Sequence, residues 1–518
     1  MSGRLNRLGA IVRADLLIRL RRPSTVVVFL LLSFLPYLWI PAPSTGRALI
    51  VINGHRALYN SAAIGVSTAL IGTLFIGLFG FYVISNALKR DVISRCGYVI
   101  ASTTMRGSEY IAGKFAGNVA FLTLFTLGYM ATAMAMVVVR GEAPLEPLVF
   151  AKQYLLLLPP SIVFVSAVSI AFECTPLLRT KFGDVLYFFL WVALMGTITV
   201  ASEKNATSAA AYFDVNGLGV MLQQMKTYYH TSSMSIGATP FDVTKPAIVF
   251  HGLRFDAYTL ATRVTATLWP LTFLVIARLF FHRFDPARVR AAAAKSHGSW
   301  IGRLNFLAKP LARLLVRIPV TGNSSLVHSA LTDALATIAA FPLIAVAIVG
   351  FAIASLASAD ALPAAYAACA IAISDIACRE KRAGTTALVF TVPSLRTRFV
   401  AWKLLSTLFV TASFLAIPIT RAILQRPSAT PSLLLGALFT AAAATFLGVV
   451  SANPKTFIVA FLTLWYIALS AKGRTPAFDF GGWFGAATPT VLATYFAITL
   501  ALLALAHAFH AHELRRRW

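Results

Sequence analysis

Long apolar runs separated by short polar loops dominate the chain from residue 24 onward. A helix that crosses a membrane needs about 20 mostly apolar residues. Twelve segments approach this length: 24–41, 64–86, 115–139, 154–174, 185–201, 264–281, 334–357, 361–377, 403–419, 432–450, 455–471 and 488–508. Because backbone groups inside a bilayer must be paired internally, the pattern predicts an all-α polytopic membrane protein with about twelve transmembrane helices.

Composition and charge support this class. The chain has 518 residues, of which 58% are hydrophobic and 12% charged, about half the charged fraction of soluble proteins. The net charge is +27, but most Lys and Arg residues fall in short loops, as the positive-inside rule expects. We therefore predict cytoplasmic N- and C-termini, a multi-pass protein of a bacterial inner membrane, contact with the lipid bilayer, and no nucleic acid partner.

Cysteine and histidine spacing gives no sign of a metal or disulfide site. The four cysteines show no CxxC spacing and none lies in a predicted extracytoplasmic segment. His507 and His510 share one side of a helix end but have no third ligand nearby, so they make a poor metal site. We predict no metal, cofactor-binding or catalytic residue in this chain.

The charge distribution divides the chain into two halves of six spans each. The predicted domains are a cytoplasmic amphipathic arm at 1–23, a first transmembrane half at 24–281, a basic cytoplasmic linker at 282–333, a second transmembrane half at 334–510 and a basic cytoplasmic tail at 511–518. We expect an amphipathic helix at 304–318 in the linker. The first half carries a long extracytoplasmic loop, 202–263, whose aromatic content predicts a small packed lid or helical cap.

A polar match at a constant spacing indicates an internal repeat. Arg90-Asp91 aligns with Arg379-Glu380, and Lys114 aligns with Lys403, without gaps. Each set follows the second span of its half and ends at the entry to the third span. An even number of spans per half predicts parallel repeats related by an axis along the membrane normal. Lys403 lies near a span end, where snorkelling to the interface is expected.

The loops after the second span of each half combine charges with apolar residues. Such a composition is suited to docking on another protein. With the acidic-basic pairs, the small-residue segment 102–104 and an aromatic before each span-entry lysine, the chain resembles the permease subunits of ABC exporters of the ABC-2 type (type V-like). The family commonly uses one six-span half per chain, whereas two halves are joined here.

The resemblance implies a function for these loops. They would couple two copies of a separate P-loop ATPase, which binds Mg-ATP, to the spans, and the substrate is unknown. The residues that would lie at this coupling interface are Arg90, Asp91, Arg95, Tyr98, Arg379, Glu380, Lys381 and Phe390.

The chain has no nucleotide-binding motif of its own, so we predict that it is not itself an enzyme. Residues 107–115 resemble a P-loop only superficially. The spacing between Gly107 and Gly113 is one residue too long, and Phe115 stands where a P-loop has the hydroxyl residue that binds Mg²⁺. Two alternatives stay open. The first is an ion- or proton-coupled secondary transporter, although this sequence lacks the mid-span acidic pair that such a transporter is expected to have. A membrane-embedded transferase acting on a lipid-linked substrate would need a polar cluster that the scattered charges of 202–263 do not form.

Overall fold

The computed structural model describes residues 2–204, 209–231, 233–282, 284 and 325–517. It is 77% helical, which agrees with the predicted class of an all-α polytopic membrane protein. The chain forms two compact units, Met1–Val289 and Arg290–Trp518, here called the N-terminal and C-terminal units. The amphipathic helix expected at 304–318 lies outside the described residues.

The N-terminal unit contains twelve described α-helices and three strands. They are α1 Ser2–Leu20, α2 Pro23–Trp39, β1 Arg47–Ile52, β2 His55–Arg56, α3 Ser61–Phe75, α4 Phe81–Ile84, α5 Ala87–Ile93, α6 Cys96–Ser102, α7 Gly107–Arg140, α8 Pro147–Cys174, α9 Lys181–Lys204, α10 Leu218–Tyr229, β3 Met234–Pro240, α11 Ala257–Leu268 and α12 Thr272–Phe280. A π-helical turn, Ile76–Gly80, joins α3 to α4. One continuous apolar span therefore leads into α5.

The C-terminal unit contains ten described α-helices. They are α13 Ser325–Ala340, α14 Pro342–Ala357, α15 Ala361–Ile373, α16 Arg379–Ala383, α17 Thr386–Val389, α18 Pro393–Thr397, α19 Phe399–Gln425, α20 Thr430–Ser451, α21 Pro454–Ala471 and α22 Pro489–Arg517. Helix α13 packs on α19 as α1 packs on α7, and α14 also packs on α19 as α2 packs on α7. The same order of contacts thus recurs within each unit.

Nine helices of the described residues are long and apolar enough to cross a membrane, and a bent pair adds a tenth if it counts as one span. The other two predicted spans are helical but short. Helix α2 has 17 residues and α15 has 13, which correspond to about 26 and 20 Å at 1.5 Å per residue. The hydrocarbon core is about 30 Å thick, so the count of twelve stays a prediction.

The predicted span 334–357 is not one straight helix in the structure. Helices α13 and α14 meet at Phe341 with a bend of 94°. The cause is Pro342, which disfavours helical backbone at the residue before it. Helix α13 consequently crosses the predicted boundary between residues 333 and 334. In the N-terminal unit, Pro23 has the equivalent place between α1 and α2.

A small antiparallel sheet was not expected from the apolar pattern. Strand β1 lies between β2 and β3, so it ties the chain after α2 to the long loop 202–263. Asn53 and Gly54 both have positive φ and form the two-residue turn of the β1–β2 hairpin, as this dipeptide favours. The loop therefore contributes a helix, α10, and a strand, β3, rather than a helical cap alone.

Glu142 connects the loop after α7 to the sheet and to the residues that follow β2. Its carboxylate accepts two hydrogen bonds from Arg56, at 2.7 and 2.8 Å, and a third from the Tyr59 amide. The hydrogen bonds from Arg56 lower the pKa of Glu142. Since the folded protein favours the ionised form, this stabilisation is present above the ordinary glutamate pKa and is lost as the pH falls through the folded value.

We expect Glu142→Gln to destabilise the protein slightly at neutral pH, by about 1 kcal/mol or less because the pair is partly solvent-exposed. The difference in melting temperature between the wild type and the variant should shrink as the pH falls below about 4, where the carboxylate is protonated. A difference that is unchanged between these pH values would contradict an ionic role for Glu142.

Each unit has a buried aspartate that organises a turn at the end away from its short helices. The Asp214 carboxylate accepts from the amides of four residues between 216 and 220, and it pairs with Arg263 at 3.4 Å. The Asp479 carboxylate accepts from the amides of Phe484 and Ala486. Three residues after each aspartate stands a glycine with positive φ, +81° at Gly217 and +65° at Gly482, which a β-carbon would strain.

Candidate functional site

Two short helices follow the second long span of the N-terminal unit and form what we call the first short-helix segment, residues 87–102. Asn86 and Arg95 have positive φ and turn the chain before α5 and before α6. The segment exposes several apolar side chains: Ile93 is 71% exposed and Val99 67%, and Val92 and Tyr98 are also exposed. Exposed apolar residues grouped in this way are typical of an interaction surface.

Asp15 of α1 is the centre of a buried ion-pair network beside this segment. Its carboxylate lies 2.6 Å from the Arg19 guanidinium and 3.3 Å from both Arg90 and Lys114. Arg19 also donates to the Asn118 side chain at 2.6 Å. Burial lowers the pKa of Arg19, and the negative charge of Asp15 opposes that shift. The network therefore joins α1, α5 and α7 through one carboxylate.

Asp91 supplies the second carboxylate of the network. Its Oδ2 atom lies 2.9 Å from Lys114 Nζ and accepts a hydrogen bond of 2.5 Å from the Tyr110 hydroxyl. Glu173, at the end of α8, accepts from the free amides of Ala87 and Leu88 at 3.0 and 2.7 Å. A carboxylate at a helix N-terminus satisfies amides that have no partner within the helix. The start of α5 is thus fixed to α8 as well as to α7.

The C-terminal unit repeats this arrangement around Asp333 of α13. The Asp333 carboxylate lies 3.1 Å from Arg379 and 2.9 Å from Lys403. Lys403 is fully buried and also pairs with Glu380. Arg379, Glu380 and Lys403 hold the places that Arg90, Asp91 and Lys114 hold in the first network. Asp333 therefore corresponds to Asp15.

The two networks differ at one basic position and one aromatic position. Thr337, which accepts a hydrogen bond from Arg379 at 2.8 Å, stands where the first network has Arg19. Phe399 replaces Tyr110 and leaves the second carboxylate without a hydroxyl donor. The first network consequently holds three basic side chains around its central aspartate, whereas the second holds two.

The second short-helix segment, residues 379–397, is fixed to the C-terminal helix. Lys381 pairs with Glu513 and donates to the Val449 carbonyl. Phe390 packs edge-to-face on Phe399 and on His510, with ring centroids 5.5 and 5.7 Å apart. The segment still exposes Leu388, 72% exposed, and Val392. Apolar side chains therefore face outward on both short-helix segments.

The predicted site residues separate into two groups in the structure. Three from each unit meet in an ion-pair network: Arg90, Asp91 and Lys114 in the first, and Arg379, Glu380 and Lys403 in the second. Arg95 and Tyr98 are exposed on the first short-helix segment, whereas Lys381 and Phe390 contact α22. The expectation that Lys403 snorkels to the interface is wrong, because its ammonium group is buried between two carboxylates.

Sequence reasoning missed the acidic residues at the centre of each network. Asp15 is the single acidic residue among the first 90, and Asp333 is the single one between 325 and 359. A lone carboxylate in such a basic or apolar stretch is a usable signal, because a buried charge needs a partner.

The described residues contain no group of three or more His, Cys, Asp or Glu side chains placed to hold a metal ion. The chain matches no family model, no curated protein and no solved structure.

Proposed function

We propose that this chain is the membrane-spanning permease subunit of an ATP-driven exporter of the ABC-2 type. In this proposal the two units are parallel six-span repeats, and the chain lies in a bacterial inner membrane with cytoplasmic termini. The short-helix segments face the cytoplasm, where two copies of a separate P-loop ATPase bind them and supply Mg-ATP hydrolysis. The substrate is not assigned.

One observation carries the proposal. In each unit, an exposed apolar segment is bound through a buried ion-pair network to the first helix, α1 or α13, and to the start of a long span. A segment attached to the spans in this way transmits a push from outside the membrane as a rigid body, whereas an unattached loop would absorb it. The exposed apolar side chains provide the docking surface, and the buried charges act as positioning residues.

The proposal predicts that the chain, purified from its native membrane in mild detergent, recovers a P-loop ATPase. The double substitution Ile93→Glu and Val99→Glu should reduce that recovery about 30-fold, because each apolar side chain at the centre of an interface typically contributes a sizeable part of the binding energy. Recovered subunits are identified and quantified by mass spectrometry.

Val243→Glu is the matched control, since Val243 is 75% exposed but lies in the loop between β3 and α11, away from the short helices. This variant should recover the ATPase at the wild-type level, within about twofold. If no P-loop ATPase accompanies the wild-type chain, or if the double variant recovers as much as the control, the proposed function is refuted.

A further inference from the structure

The C-terminal unit contains an open recess at the end away from its short helices. It is a shallow depression, open to the outside, between the end of α14 and the last two turns of α19. Its polar lining consists of Ser355, Ser358, Arg421, Gln425 and Arg426, and no acidic side chain contributes to it. Asp360 is close in sequence, but its side chain is exposed and does not line the recess. The recess therefore has a positive lining.

The two arginines have hydrogen-bond donors to spare. Arg421 donates to the Ser355 carbonyl, and Arg426 donates to the Trp483 carbonyl at 2.8 Å. A guanidinium carries five N–H donors in a planar fork, and each of these contacts uses one. Spare donors on two neighbouring guanidinium groups match the oxygen atoms of a phosphate, to which arginine binds with two parallel hydrogen bonds.

Apolar side chains beside the recess point away from the protein. Leu424, 78% exposed, is on α19, and Leu356, 68% exposed, and Ile353 are on α14. Both helices belong to segments with membrane-spanning hydropathy. In a bilayer such side chains lie against acyl chains, so the positive recess stands next to a lipid-facing surface.

Arg140, at the end of α7, donates to the carbonyls of Tyr37 and Ile40, and its guanidinium lies 4.7 Å from the centre of the Tyr37 ring. The Tyr37 ring therefore covers one face of the Arg140 guanidinium.

We propose that this recess binds the phosphate group of an anionic phospholipid, with Arg421 and Arg426 as its ligands and the acyl chains along Leu356 and Leu424. The inference rests on the chain being a membrane protein and does not depend on the partner ATPase. Its failure is therefore distinguishable from failure of the proposed function.

The test is a titration of the purified full-length chain in detergent with phosphatidylglycerol, followed by native mass spectrometry of the bound lipid. Phosphatidylcholine and inorganic phosphate are titrated in parallel. We expect tighter binding of phosphatidylglycerol than of phosphatidylcholine. The double substitution Arg421→Gln and Arg426→Gln should weaken phosphatidylglycerol binding about tenfold or more, since charge-assisted hydrogen bonds are lost.

Arg474→Gln is the matched control, because it removes one positive charge from an exposed position between α21 and α22, outside the recess. It should bind phosphatidylglycerol within about twofold of the wild type. If the double variant does not fold, Arg426→Gln alone serves, because the Arg426 side chain donates its hydrogen bond to a backbone carbonyl, that of Trp483. Equal binding of the two lipids, equal binding by variant and control, or displacement of the lipid by inorganic phosphate at matched concentration would each overturn the proposal.

Discussion

Replacing Lys403 with Met is expected to destabilise the C-terminal unit by about 3–5 kcal/mol, the usual cost of removing one partner from a buried ion pair. The Lys403 ammonium lies between the carboxylates of Asp333 and Glu380, and its side chain has no solvent exposure. Without it, two buried carboxylates face each other and only one retains an arginine, Arg379. One of them must be protonated or the site must open to water.

The measurement is denaturant unfolding of the purified chain in a single detergent, combined with limited proteolysis of the segment 379–397. Arg382→Met is the control, since it removes an equal charge from an exposed position of the same segment, and it should cost about 0.5 kcal/mol or less. Adding Glu380→Gln to Lys403→Met should restore much of the loss, because Asp333 keeps Arg379. A loss below about 1 kcal/mol for Lys403→Met alone would show that the ammonium group is dispensable.

The second large effect is expected for Asp15→Asn in the N-terminal unit. Asp15 faces three basic groups, Arg19, Arg90 and Lys114, and its side chain is 2% exposed. Asparagine keeps the shape but removes the charge, which leaves buried cations without compensation at a cost of about 3 kcal/mol or more. Arg19 is affected most, because Lys114 retains Asp91.

The second network provides an internal reference for this loss of stability. Asp15→Asn should cost more than Asp333→Asn, because the first network contains Arg19 where the second contains Thr337. Combining Asp15→Asn with Arg19→Thr should bring the cost close to that of Asp333→Asn, since the mixed network then resembles the second one. The measurement is the free energy of unfolding of these three variants and of the wild type. Equal costs for the two single variants would show that Arg19 is not held by Asp15.

The apolar pattern predicted the broad class because a segment of about 20 apolar residues has few alternatives to a helix in a bilayer. The span at 115–139, for example, lies within α7. The polar match between Arg90-Asp91 and Arg379-Glu380 also pointed to the right places, since these residues occupy equivalent networks. Local sequence decided these features, because helix formation and loop charge depend on neighbouring residues.

Proline and turn signals were present in the sequence but outweighed by hydrophobicity. Pro342 breaks the apolar stretch 334–357, and Asn53-Gly54 marks the hairpin between β1 and β2. Both are local signals, and they are lost when hydropathy is averaged over a longer segment. The pairing of β1 with β3 could not be predicted from local sequence. Arg47 pairs with Pro240, which lies nearly two hundred residues away in the chain, and no local pattern indicates that contact.

By itself, the sequence determined that this chain is a helical membrane protein with two similar halves and charged loops at matched positions. Only the tertiary structure decided which charges are paired, because ion pairs such as Asp15 with Lys114 and Asp333 with Lys403 join helices far apart in the chain. The same side chains could have extended to the membrane surface or closed on a partner. Burial beside a carboxylate selects the second outcome, since an isolated charge inside the protein would cost more than the pair gains.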